Sequence, residues 1–108
     1  MMDNPNSTVL MTISTRPTLE EPIIDWLLER ESGPGFSSWD TRGHSSQHGH
    51  LSVAEQVSGR QRRLRFEVLL RAGELTAFVE GLEQAFAGAD LHYWASPVLA
   101  SGSLATGD

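Results

Sequence analysis

Three of the chain's four histidines, His44, His48 and His50, fall within the run Gly43-His44-Ser45-Ser46-Gln47-His48-Gly49-His50, which is otherwise small and polar. A neutral imidazole is a good ligand for first-row transition ions. At His-x-x-x-His-x-His spacing the three can close on one Zn2+, Cu2+ or Ni2+, with Asp40, Glu55 or a neighbouring copy completing the shell. In a helix His44 and His48 share a face, and in a strand His48 and His50 do, so the segment must wrap the ion rather than present it from one regular element. The same run also reads as a solvated polar loop whose histidines bind metal only incidentally. Immediately downstream stand Arg60, Arg62, Arg63 and Arg65. Of these, Arg60, Arg62 and Arg63 are candidates for gripping the phosphate or carboxylate of an anionic ligand, because a guanidinium offers a planar fork of donors. Ion pairing to carboxylates of this or another chain is the plainer alternative.

Much other chemistry is excluded. No cysteine is present, so there is no thiolate nucleophile, disulfide framework, Cys-ligated zinc or iron–sulfur cluster. No Gly-x-Ser-x-Gly elbow occurs, and Gly33-Pro34-Gly35 precedes a strand pattern where a phosphate loop would open a helix. No catalytic residue is nominated and an enzyme is not expected. Fourteen acidic residues against eight basic ones give a formal charge of -6, so nucleic acid is not an expected partner. The polar start of the chain lacks the pattern of a secretory signal, and no apolar run reaches membrane-spanning length. The expectation is a cytoplasmic protein that does not insert into a membrane.

The elements that must carry these residues can be read from periodicity. Residues 8–14 are β-branched and apolar and predict a first strand. Thr18 and Glu21 have the spacing of a capping box, Pro22 falls in the first turn, and Leu19, Ile23 and Leu27, widened by Ile24, Trp26 and Leu28, predict a helix running to about Glu31. A second strand is expected over 36–42. Residues 43–60 then form a long excursion with one short helical turn around 52–57. Residues 62–70 alternate sharply: Leu64, Phe66, Val68 and Leu70 face one way, Arg63, Arg65 and Glu67 the other, with Arg62 on the apolar side. The stripe Leu75, Phe78, Val79, Leu82, Ala85 and Phe86 predicts a second helix, Ala87-Gly88-Ala89-Asp90 ends it, and residues 91–99 close the order as a last strand.

The order β-α-β, long loop, β-α-β predicts an α+β ferredoxin-like βαββαβ domain over residues 8–100: a four-stranded antiparallel sheet with both helices on one face, a flexible N-terminus at 1–7 and a flexible tail at 101–108. Yet the outer strands carry large apolar residues on both sides, with Leu10, Trp94 and Val98 on the side the helices leave open. A face of that kind is expected to be covered by other subunits, the alternative being a monomer with a few exposed apolar residues. Trp39 is expected in a packing or interface position. A small enzyme of the same fold remains the second reading, and it requires a deep pocket under Trp26 and Phe78 with a polar group at its base.

The element order, the long loop between strands two and three and the run Leu51-Ser52-Val53-Ala54-Glu55-Gln56-Val57-Ser58-Gly59-Arg60-Gln61-Arg62-Arg63 resemble the PII-like (nitrogen regulatory protein-like) superfamily over roughly residues 8 to 100. Ala54-Glu55-Gln56-Val57, Gly59-Arg60-Gln61-Arg62-Arg63, Tyr93-Trp94 and Pro97-Val98 are similar to an uncharacterised branch often encoded beside heavy-metal efflux systems. The resemblance implies a non-enzymatic regulatory or sensor homotrimer linked to heavy-metal homeostasis. Its T-loop, residues 43–60 here, would touch a membrane transporter or other protein partner. Nucleotide-binding members carry a Thr-Gly-x-x-Gly-Asp-Gly-Lys loop before the last strand, where this chain has Ala87-Gly88-Ala89-Asp90, so ATP is not expected. Residues 43–60 also lack the tyrosine that some members modify.

Overall fold

The computed structural model describes residues 4–30, 35–44 and 61–105. The helical turn expected near 52–57 lies outside them, as do His48, His50, Glu55 and Arg60. Six regular elements follow one another: β1 (Thr8–Thr15), α1 (Glu20–Arg30), β2 (Phe36–Gly43), β3 (Gln61–Arg71), α2 (Leu75–Phe86) and β4 (Leu91–Pro97). The sheet order is β2-β3-β1-β4 with every neighbouring pair antiparallel, the ferredoxin-like arrangement expected from the sequence. β1 is central, and β2 and β4 are the edges.

Register explains how one strand serves two environments. Val9, Met11, Ile13 and Thr15 of β1 stand opposite Leu70, Val68, Phe66 and Leu64 of β3, so the apolar phases of both strands coincide on one side. Ile23, Trp26 and Leu27 of α1 and Phe78 and Leu82 of α2 close over that side and complete a single core. Trp26 meets Phe78 and Phe86 edge-on, with ring centroids 5.0 and 6.1 Å apart, and a Cβ on Gly81 would stand 3.2 Å from Trp26 Cζ2. The absence of that Cβ lets the indole lie against α2. Trp26 thus packs against both rings of α2, while Phe78 also lines an open groove together with Arg30, Arg71 and Glu74.

Several local expectations are corrected. Thr18 is not a helix cap. Pro17 fixes its own φ and opens a 3-10 turn, Pro17–Leu19, with Arg16 at its N-cap and no side-chain capping bond, so the α-helix begins only at Glu20. Leu28 is exposed instead of widening the buried stripe: it lies one residue past Leu27, about 100° around the helix and off the sheet. Ala85 is likewise exposed. The last strand stops at Pro97, after which the Val98 amide donates to Thr8 O. At the opposite end, Ala72 N donates to Ser7 O and Gly73 N to Pro5 O, which ties residues 5–7 to the turn before α2.

Replacing Phe66, fully buried between β1 and both helices, by alanine is expected to cost about 3–5 kcal/mol, whereas Leu28→Ala should stay within about 0.5 kcal/mol. Urea denaturation of the two variants reads the difference, and equal losses would contradict this layering.

Candidate functional site

Two features of the helix-free face carry chemistry. The first is a polar cluster where the segment leading from His44 returns to the sheet. Arg63 lies on this face by strand parity, as expected, but it is only 6% exposed. Its Nη2 donates to Ser14 O at 2.9 Å, its Nε to Ser14 Oγ at 3.2 Å and its Nη1 to Gln61 Oε1 at 3.2 Å. Asp90 Oδ2 lies 3.1 Å from Nη1. The side chain therefore crosses the central strand, from β3 over β1 to the residue preceding β4. Gly43 makes room for its stem, since a Cβ there would approach Arg63 Cγ to 3.1 Å.

Asp90 is delivered by the turn that ends α2. Gly88 takes a φ of +84°, a left-handed conformation that L side chains rarely adopt, and the chain reverses there into β4. Ala89 N bonds to Phe86 O, Thr15 Oγ1 donates to Asp90 O, and His92 Nε2 stands 3.5 Å from Asp90 Oδ1. A buried guanidinium is stable only with its donors filled, and here one carboxylate and two oxygens of Ser14 fill them. Nothing in the sequence signals this partnership: Asp90 lies 27 positions away, just before β4, a strand that is not β3's neighbour. Only the insertion of β1 between β3 and β4 brings the two within reach.

The second feature is aromatic. Trp94 of β4 (43% exposed), Leu69 of β3 (41%) and Trp39 of β2 (39%) share this open face. Arg65 lies opposite Trp39 and Ser14, and its guanidinium carbon sits 5.1 Å from the centre of the Trp94 ring. Thr12 and Ser14 are buried although they lie on the open side, between register neighbours that include Glu67, Arg65 and Trp94. The face is thus not bare. Long side chains from β3 and β4 lie across its centre and leave two indoles at the flanks.

Of the other nominated residues, His44 is exposed just beyond β2, and Arg62 is exposed on the helix side of β3 beside Arg42. Among the described residues no group of three or more His, Asp or Glu is close enough to hold a metal ion. His44 stands apart from any such group, while His48, His50 and Arg60 lie outside the described residues. An open groove of about 1210 Å3 runs at the far end of the molecule between the start of α2 and residues 101–104, with Arg30 and Arg71 among its lining. It lies on the opposite end of β3 from Arg63. Among the described residues no helix is long and apolar enough to cross a membrane.

The topology and the long connection between β2 and β3 define a ferredoxin-like protein of PII-like fold. The fold is shared with the ATP complex of GlnK from B. subtilis, at a TM-score of 0.60 and 14% identity, covering 87% of this chain and 86% of that one. A crystal structure of a DUF3240 family protein from Shewanella baltica superposes with a TM-score of 0.74 at 22% identity, covering 92% and 98% of the two chains. Residues 6–105 match the model of the DUF3240 family, described as proteins of unknown function, and the chain belongs to that family. No curated protein matches it.

Removing Arg63's charge while keeping its stem, as in Arg63→Met, should destabilise the fold by about 2–3 kcal/mol, because Ser14 O loses its donor and Asp90 its counter-charge. Asp90→Asn should cost less, about 1 kcal/mol, since Asp90 is partly hydrated. Chemical denaturation of both variants measures this, and an Arg63→Met protein as stable as the parent would refute the anchoring role.

Proposed function

We infer that the protein is a non-enzymatic PII-like regulator that works as a cytoplasmic homotrimer. Neighbouring copies pack against its helix-free sheet faces, and residues 43–60 form the surface that meets a ligand and a protein partner. The observation that carries this reading is the open face itself: two indoles and a leucine remain exposed on the side of the sheet that the helices do not cover. Exposed indoles flanking a charged centre suit an association surface. The shared fold with a PII-type protein supports a regulatory role over a catalytic one.

In this reading His44, His48 and His50 take up Zn2+, Cu2+ or Ni2+, and the metal-bound segment is what a partner, such as a heavy-metal efflux transporter, recognises. Imidazoles gathered on one segment suit a reversible signal, because metal binding to neutral imidazoles is itself reversible and depends on metal supply. Arg60 and Arg63 serve an anionic ligand, with Arg63 exchanging the Asp90 carboxylate for it, while Arg62, on the other face of β3, stands apart from that site. ATP is left out of this reading, since Ala87-Gly88-Ala89-Asp90 is too short and too poor in glycine to wrap a triphosphate.

Native mass spectrometry of the full chain should show three copies, and titration with Zn2+, Cu2+ or Ni2+ should saturate at a fixed ratio per copy. The triple variant His44→Ala/His48→Ala/His50→Ala should lose that uptake and keep its assembly. A monomer at micromolar concentration would overturn the trimer, and weak, nonsaturating uptake unchanged in the triple variant would overturn the metal role.

A further inference from the structure

Arg65 and Glu67 lie two residues apart on β3 and so project from the same side of the sheet, roughly 7 Å apart along the strand. Both lie on the open face. Arg65 stands opposite Trp39 and Ser14, Glu67 opposite Ser37 and Thr12, so the adjacent strands offer each charge only hydroxyls and an indole. Arg30 pairs with Glu29 and Arg63 with Asp90, and neither pair includes Arg65 or Glu67. Arg65 turns across β1 onto the Trp94 ring instead of toward Glu67. Its Nε has lost its water and has no hydrogen-bond acceptor. That atom is enclosed within the chain itself, so what another copy can meet is the charge of the Trp94-stacked guanidinium, beside which the Glu67 carboxylate stands without a cation.

We propose that Arg65 and Glu67 are the two halves of a reciprocal ion pair between copies of this chain, Arg65 of one copy meeting Glu67 of the next, with Trp39, Trp94 and Leu69 excluding water around it. The proposal rests on the reading of the open face as a subunit contact and specifies the chemistry that selects the neighbour. Charge complementarity identifies the occupant. An acidic partner would satisfy Arg65 and strand Glu67, a basic one would do the reverse, and a wholly apolar one would leave both charges buried without partners. A second copy brings both missing groups at the same spacing. In a closed ring each copy donates an arginine on one flank and a carboxylate on the other, which completes every pair without a free end. The net charge of -6 opposes association at long range, but at physiological ionic strength that repulsion is screened beyond roughly 8 Å, while contacts within the apolar rim are not.

Sedimentation equilibrium and native mass spectrometry of the full-length protein test this with Arg65→Glu, Glu67→Arg and the double exchange Arg65→Glu/Glu67→Arg. Each single reversal sets like charges together and should weaken assembly at least tenfold. The double exchange restores opposite charges and should recover most of the loss. Should a charge reversal fail to fold by circular dichroism, Arg65→Gln/Glu67→Gln replaces it. Raising NaCl from about 0.05 to about 1 M should then weaken the parent assembly more than this neutral variant. If the parent assembles but single reversals leave it intact, if the double exchange stays as weak as the worse single, or if parent and neutral variant respond alike to salt, the ion pair is refuted while the subunit-contact reading stands. A monomeric parent would refute both.

Discussion

The central strand β1 must satisfy a hydrocarbon environment on one side and a polar one on the other, and the rest of the molecule is arranged around that demand. Its odd-numbered residues, Val9, Met11, Ile13 and Thr15, are sealed beneath two helices. Its even-numbered side offers Thr12 and Ser14, hydroxyls that accept a strong donor but cannot build a core. Because strand pairing fixes register, neither set can shift without exposing the other. The long side chains of β3 and β4 then fold inward over β1, and the face opposite the helices becomes a shallow layer of Arg63, Arg65 and Trp94.

Within that layer the two arginines have different fates. Arg63 is fully satisfied, holding Ser14 and Asp90 together, and so it links the mouth of the β2–β3 connection to the turn after α2. Arg65 is stacked but short of an acceptor. The inner arginine thus holds the fold and the outer one points to what lies beyond it.

Much of this architecture was legible from periodicity. The alternation Arg63, Leu64, Arg65, Phe66, Glu67, Val68 fixes the face each side chain takes, and the 3.6-residue recurrence of Phe78 and Leu82 identifies the helix that covers it. Parity also separated Tyr93 from Trp94 correctly, yet Tyr93 remains exposed because an edge strand reaches past the helices. Local signals misled where a backbone constraint overrode them, as at Thr18, where the fixed φ of Pro17 opened a 3-10 turn ahead of the expected helix cap.

By itself the sequence determined the order of the elements, the face each side chain occupies and the concentration of histidine and arginine around one long connection, since these follow from local periodicity and composition. Only the tertiary structure decided which distant groups meet. Strand order is set by long-range pairing that leaves no mark at short spacing, and it is this order that carries Arg63 over Ser14 to Asp90 and Arg65 to Trp94. The identity of a buried charge's partner is a property of the assembled sheet, because it depends on which strand lies between.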